Sequence, residues 1–371
     1  MQLVTDENKE INHRLINNEA IDLYKNADLL ELGKLANDMK RKYHSENEPV
    51  TFIIDRNVNY TNVCTAACRF CAFAYWPGDK RTYTNSYEVI FEKTKELVDL
   101  GGTQLLLQGG HNPELKIEYY EDLFKRLRND FPSVTLHALS PSEIDHICNV
   151  SNLDTETVIK RLRDAGLNSI PGGGAEILVD RVRNIISPLK INSDRWLEVM
   201  EVAHRLGMKT TATMMYGHVE TLEERIEHME KIRNLQDKYN GFTAFISWPF
   251  QKENNALGDD LAKDAVSKDV ACNVSTDLEY LRTLAISRIF IDNIPNFQSS
   301  WVTMGIHIGQ LALAFGANDM GGTMLEENVV SAAGKLCNAS MKDIINAIHG
   351  AGKDAAQRDT GYKTIKIFSK K

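Results

Sequence analysis

Along the chain, short apolar runs alternate with longer stretches whose apolar residues recur every three or four positions. Residues 50–54 (VTFII), 104–107 (QLLL), 134–139 (VTLHAL) and 168–174 (NSIPGGG) read as strands. So do 210–217 (TTATMMYG), 242–248 (FTAFISW), 287–294 (SRIFIDNI) and 313–319 (LAFGAND). Between them the spacing predicts helices over 86–100, 118–130, about 155–165, 196–206, 222–238, 277–286 and 301–313. Strands without polar alternation, separated by helices, argue a parallel sheet covered on both faces. Eight such units predict an α/β fold, a closed (β/α)8 barrel of the TIM type, with the site built by loops at the strand C-termini. Polar and Gly-rich clusters do follow the strands.

No low-complexity linker divides the repeats, so residues 48–320 read as one barrel domain. Before it, Ile16, Ala20, Leu23, Leu29, Leu30, Leu32 and Leu35 recur at helical spacing, with interruptions expected at Asn26 and Gly33. Residues 1–47 are therefore expected to form a helical cap. Residues 321–371 are expected to add helices packed on the barrel, ending in a basic, extended tail (KTIKIFSKK).

Composition narrows the function classes. The chain has 371 residues, 43% apolar and 25% charged, which suits a globular domain with a sizeable core. A net charge of -8 without a Lys/Arg stripe argues against a nucleic-acid partner. No apolar run approaches 18 residues, so no membrane span is expected. The polar N-terminus lacks the apolar segment of a signal peptide, and clustered thiols need reducing surroundings; both point to the cytoplasm.

Those thiols are Cys64, Cys68 and Cys71, in a C-x3-C-x2-C spacing with Phe70 before the third. Three thiolates this close can ligate three irons of a [4Fe-4S] cubane and leave the fourth open for chemistry. A zinc knuckle or a disulfide pair are the alternatives, but zinc wants a fourth ligand nearby, and His111 is the nearest histidine after Cys71. Cys148, Cys272 and Cys337 are scattered and read as ordinary thiols.

The C-x3-C-x-Φ-C motif is the signature of radical S-adenosylmethionine enzymes. The longer run over 54–73 (IDRNVNYTNVC…CRFCAF) resembles futalosine-pathway enzymes of menaquinone biosynthesis and their deazaflavin-forming relatives. The later stretches LLLQGGHNP, IPGGGAEILVDRVR, TTATMMYGHVET and QSSWVTMG…GANDMGGTMLEENVVSAAG are most similar to its cyclase branch, the cyclic dehypoxanthinyl futalosine synthases. That resemblance runs from about residue 50 to the C-terminus. It implies a [4Fe-4S] cluster, S-adenosyl-L-methionine, dehypoxanthine futalosine as substrate and a transient electron donor such as flavodoxin or ferredoxin. It also implies the reaction: a 5′-deoxyadenosyl radical takes hydrogen from C4′ of the ribose, and the C4′ radical adds to the benzoate ring. Aminofutalosine synthase and the deazaflavin-forming enzymes are the neighbouring readings. A non-catalytic Fe–S or zinc-binding regulatory protein is the reading of another class.

The resemblance places cofactor contacts at Phe70, at Gln108, Gly109 and Gly110, at Ser140 and Glu143, and at Gly217, Glu220 and Thr221. Many relatives carry Glu after the Gly-Gly pair, where this chain has His111. Ser140 and Glu143 equally suit a helix start with its capping residue, and Thr221 a second cap. His111, His137 and His218 fall at strand ends or in their loops; His111 and His218 are the expected acid–base residues. Substrate contacts are expected from Arg56, His137, Gly173, Glu176, Arg288 and Asn293. An arginine would pair with the aromatic carboxylate in bidentate fashion, or else serve a structural ion pair. Gln298, Ser299, Trp301 and Glu326 lie in family-like stretches without an assigned role.

Overall fold

Eleven strands are present in the computed structural model, which describes residues 13–263, 276–334 and 339–370. Cys272, Cys337 and residues 1–12 of the expected cap lie outside the described residues. The strands are β1 (Val50–Ile53), β2 (Asp55–Asn59), β3 (Gln104–Gln108), β4 (Thr135–Ala138), β5 (Ser169–Ile170) and β6 (Lys209–Tyr216). They continue as β7 (Phe242–Pro249), β8 (Asn296–Phe297), β9 (Asp319–Gly322), β10 (Ala355–Arg358) and β11 (Thr364–Phe368).

Strands β2 to β8 form one parallel sheet in chain order. β9 extends it through a narrow seam: the Ser299 N–H donates to the Asp319 carbonyl at 2.8 Å, and the Asn318 N–H to the Phe297 carbonyl at 3.1 Å. On its other side β9 pairs in parallel with β1, which runs on into β2 past Ile54. These pairings close a ring of eight strands, counting β1 and β2 as one with β3 to β9. Helices follow most strands and pack apolar faces on the outside of the ring, as a parallel barrel requires.

Alternation along the strands puts one side chain outward and the next inward. Outward residues such as Val58, Leu105, Leu107, Ala212 and Met214 are buried beneath helices. Inward residues are more polar: Asp55 and Asn57 on β2, Gln104 and Gln108 on β3, Thr211 and Thr213 on β6. Residues 55–59 (DRNVN) therefore escape an apolar-run search. The strand expected to stop at 54 continues to Asn59 because its inner face lines a cavity instead of a packed core.

Other differences have physical causes. Residues 287–290 of the expected strand at 287–294 end the helix Asp277–Phe290, whose positions 280–281 and 283–290 are all buried. A helix covered nearly all round, here also by the helix Leu29–Lys40, shows an apolar run that cannot be told from a strand by periodicity. The strand of that unit is β8, and that of the next is β9, where the sequence suggested 313–319. The helix expected over 301–313 breaks at Gly305, whose φ is +87°. The N-terminal helices Asn17–Asn26 and Leu29–Lys40 are interrupted at Asp28, which caps the second through its side chain, and Gly33 stays inside that helix, close to Phe315.

Residues 321–371 are not only helical. They hold the end of β9, the helices Val329–Ala332 and Met341–Gly350, and the hairpin β10–β11. β10 pairs in parallel with β1, and the tail expected to be merely extended is β11, antiparallel to β10. Arg358 at the end of β10 reaches into the seam, where Nε donates to Asp319 Oδ2 at 2.5 Å and Nη2 to Oδ1 at 2.9 Å. Both side chains are buried, so removing one charge strands the other. Asp319→Asn is expected to lower stability by about 3–5 kcal/mol, read from urea unfolding. An Arg358→Gln/Asp319→Asn pair is expected to recover most of that loss.

Candidate active site

The inward face of the barrel encloses a cavity of about 340 Å³, in the range of small-molecule sites. It runs from the cysteine loop, where Phe70 and Cys71 line it, to the hairpin end, where Arg358, Thr360 and Tyr362 do. Trp248, Phe250 and Trp301 supply much of its apolar wall.

Cys64, Cys68 and Cys71 lie on the long loop after β2, each half-buried. Among the described residues no three His, Cys, Asp or Glu converge on a single metal ion. The donor chemistry of the loop does suit a cluster. Burial pushes the Cys64 thiol up and the Cys68 thiol to about 12, with Lys190 opposing the shift at both. Thiolates held there call for added positive charge, as bound iron supplies. The loop is packed tightly against the next one: a Cβ on Gly110 would lie 2.1 Å from the Val63 carbonyl oxygen and 2.8 Å from Cys64 Cβ.

Gly109 is confined in the same way, since a Cβ would come within 2.6 Å of the Tyr60 ring. Its N–H donates to Glu143 Oε1 at 2.9 Å, and the Tyr60 hydroxyl donates to the same oxygen at 2.9 Å. The other oxygen accepts from the Ser140 N–H at 2.7 Å, while Ser140 Oγ accepts from the Glu143 N–H at 3.2 Å. Ser140 and Glu143 are thus the capping box of the helix Pro141–Ser151. Glu143 also ties that helix to the glycine loop after β3. Neither lines the cavity; they position the glycine loop that follows Gln108, the β3 residue that does.

After β5 the run Gly172–Gly174 approaches β6 closely. The Gly172 N–H donates to Thr211 Oγ1 at 3.0 Å, Thr213 Oγ1 donates to the Gly172 carbonyl at 2.6 Å, and Trp196 Nε1 donates to the Gly173 carbonyl at 3.2 Å. Glu176 holds φ at +43°, rare for a residue with a side chain. Its carboxylate lines the cavity, with Oε1 on Lys190 Nζ at 3.1 Å; Oε2 has no hydrogen bond, and Arg183 stands 3.7 Å away. Gly173 and Glu176 are therefore at the cavity wall, as is His137, whose Nδ1 is 2.9 Å from Ser169 Oγ. Burial lowers the His137 pKa to about 3, so it is neutral.

Other expected site residues lie elsewhere. His111 is buried outside the cavity lining, with Nε2 3.0 Å from Ser142 Oγ and its ring stacked on His146. Burial lowers its pKa to about 3. His218 is fully buried; its Nε2 meets the Met215 carbonyl at 3.1 Å, and its Nδ1 accepts from the Val219 N–H at 2.8 Å. Those partners use both ring nitrogens. Glu220 accepts from the Gly217 N–H, the His218 N–H and Arg225 Nε, and Thr221 caps the helix Leu222–Tyr239. This group links the barrel to the N-terminal helices through Arg225 and Tyr24.

The arginine expectations are corrected too. Arg56 alternates outward from Asp55 and Asn57 and pairs with Glu326 at 3.0 Å and with Glu96. Arg288 is buried against the Pro295 carbonyl at 2.8 Å, with its guanidinium over Phe297, and Asn293 donates to the Arg233 carbonyl and Asp237. None lines the cavity. Sequence reasoning missed Asp55, Asn57, Arg358, Thr360 and Tyr362, and left Gln298 without a role. The last of these donates to the Tyr362 hydroxyl at 2.7 Å. The period-two pattern Asp55-x-Asn57 on a strand was the one available signal.

Residues 58–232 match the family model described as the radical SAM superfamily, and residues 239–370 match the CofH/MqnC C-terminal region. The chain is 46% identical to the cyclic dehypoxanthine futalosine synthase of Halalkalibacterium halodurans, over 96% of this chain and 93% of that protein. The chain belongs to the radical SAM superfamily, in its CofH/MqnC branch. The cyclic dehypoxanthine futalosine synthase of Streptomyces coelicolor is 44% identical, over 95% of this chain and 86% of that one. The aminodeoxyfutalosine synthase of Thermus thermophilus is 35% identical, over 96% and 94%. The crystal structure of methylornithine synthase (PylB) shares the fold, with a TM-score of 0.70 at 16% identity over 93% of this chain and 95% of that one. This radical SAM chain accordingly uses a [4Fe-4S] cluster and S-adenosylmethionine.

Gly110→Ala is expected to push the cysteine loop off its neighbour, because the new methyl would overlap the Val63 backbone. Iron counting after anaerobic reconstitution should show a markedly lower iron content than wild type. Circular dichroism should show the fold retained.

Proposed function

We propose that the protein cyclises dehypoxanthine futalosine to cyclic dehypoxanthine futalosine in menaquinone biosynthesis. The observation that carries this reading is the likeness to two bacterial cyclic dehypoxanthine futalosine synthases over nearly the whole chain. The enclosed aromatic cavity beside the cysteine loop is consistent with it.

In this reading Cys64, Cys68 and Cys71 hold the cluster. When bound, the reduced cluster and S-adenosylmethionine together supply the hydrogen-abstracting chemistry. The chain's own residues orient and enclose. Gln108, Gly109 and Gly110 present backbone to the methionine end, held in place by Glu143 from behind. Gly173 leaves room for close approach of a ligand, and Glu176 offers an unspent carboxylate oxygen to a sugar hydroxyl. Phe70, Trp248, Phe250 and Trp301 line the wall and exclude water, which protects a reactive species from quenching. His111 and His218 act as packing and hydrogen-bonding residues, not as acid and base, because they lie outside the cavity lining. An electron donor of the flavodoxin or ferredoxin class serves the cluster, and a cytoplasmic setting keeps the thiols reduced.

The test is anaerobic reconstitution followed by mass spectrometry with two substrates offered separately. Dehypoxanthine futalosine should yield 5′-deoxyadenosine and the cyclised product, and an enolpyruvyl benzoate should yield neither. An adduct of the adenosyl group with the enolpyruvyl benzoate, with dehypoxanthine futalosine left unchanged, would instead assign the chain the activity named for the Thermus relative. Cys68→Ala is expected to lose bound iron and to abolish 5′-deoxyadenosine formation from dehypoxanthine futalosine.

A further inference from the structure

The hairpin end of the cavity is built differently from the end beside the cysteine loop. There the β10–β11 turn enters the barrel. Arg358, the only Arg or Lys among the described residues lining the cavity, is fixed on Asp319, and its guanidinium lies 3.9 Å from the Tyr362 ring centroid. Tyr362 holds φ at +67°, a strained conformation for an aromatic residue, and its hydroxyl accepts from Gln298. Three cavity-lining residues carry a buried polar atom without a partner: Thr360 Oγ1 and Asn57 Oδ1 here, and Glu176 Oε2 elsewhere on the wall. Orphaned polar atoms cost free energy unless a ligand or water satisfies them.

Asp55 stands beside them. Its Oδ1 accepts from the Met324 N–H at 3.0 Å, and a Cβ on Gly322 would fall 2.2 Å from that same oxygen, so glycine there makes room for the carboxyl. Of the other carboxylates lining the cavity, Glu327 accepts from the N–H groups of Val329 and Val330, and Glu176 meets Lys190 through Oε1 while its Oε2 has no hydrogen bond.

We propose that Arg358, Thr360 and Tyr362, with Asp55 of β2, form a subsite for the aromatic carboxylate of the substrate. Arg358 has N–H groups beyond those given to Asp319 and to the Asp359 carbonyl. Thr360 donates to the carboxylate, and Tyr362 offers an edge or face to the ring. The proposal rests on the reading of the substrate as a benzoate derivative.

The subsite carries a pH signature. The charged groups facing Asp55 are Arg358 from β10 and Asp319 from β9; His137 on β4 is neutral, and Arg56 on its own strand points away. Burial pushes the Asp55 carboxyl up to about 6. A second carboxylate placed beside it disfavours its ionised form further, so binding takes up a proton. Affinity is therefore expected to be higher at pH 6 than at pH 8.

The experiment is titration calorimetry of the reconstituted full chain with benzoate as probe. Binding should weaken at least tenfold in Arg358→Gln/Asp319→Asn, which removes both charges together and avoids stranding one. It should weaken about threefold in Thr360→Val, remain unchanged in Arg56→Gln, and lose its pH dependence in Asp55→Asn. No benzoate binding by the wild type, or equal binding in the double variant and Thr360→Val, overturns the proposal, as does loss of binding in Arg56→Gln. Cyclisation of dehypoxanthine futalosine is followed separately. Cyclisation without these binding effects refutes the subsite alone. Benzoate held through Arg358 without cyclisation refutes the functional reading and leaves an aromatic-carboxylate site.

Discussion

A buried ion pair joins the architecture of this protein to its cavity. Asp319 accepts both donors of Arg358, takes a hydrogen bond from Thr51 on β1, and through its backbone carries the seam between β8 and β9. One carboxylate therefore meets three parts of the chain that are far apart in sequence. Burying two charges is costly, and the attraction between them offsets that cost only where geometry and extra hydrogen bonds are good. Here they are, because Asp319 also accepts from the Gly321 N–H at 2.7 Å. The pair places a cation at the wall of an otherwise acidic cavity.

The barrel differs from a filled (β/α)8 core in the chemistry of its inner face. A filled barrel stacks layers of large branched side chains on its axis. This one points Asp55, Asn57, Gln108 and Thr213 inward, and space remains between them. The stabilising apolar burial lies instead between the outer face of the sheet and the helices, where Leu105, Leu107, Ile144, Met214 and Ile226 are fully buried. Stability and function are thus divided between the two faces of the same strands.

At the cysteine end, the residues that organise the site mostly do not touch it. Glu143 acts from behind by fixing the Gly109 N–H, and Glu220 secures the turn after β6 while tying in Arg225. Both carboxylates are buried with several donors each, which makes them rigid supports. The reactive chemistry belongs to the cluster and S-adenosylmethionine; the protein's part is to hold neighbouring loops at fixed separation. Gly109 and Gly110 serve that purpose by letting two loops approach closer than any side chain allows.

Much of this was legible in the residues themselves. The spacing of Cys64, Cys68 and Cys71 declares the cluster chemistry, because ligand spacing within one loop is a local property. The strand–helix rhythm declares the barrel for the same reason, since alternation with helical periods is written locally. The capping residues Ser140 and Thr221 also read directly from their neighbours. What the tertiary structure decided was direction and company. Whether Arg56 or Asp55 faces inward depends on strand register, and a one-residue shift exchanges them. Arg288 and Arg358 look alike as isolated arginines; one, on the helix Asp277–Phe290, is buried against backbone carbonyls, and the other reaches the cavity because a hairpin near the C-terminus folds back onto the first strand. That contact joins residues about three hundred positions apart, and no local pattern encodes it.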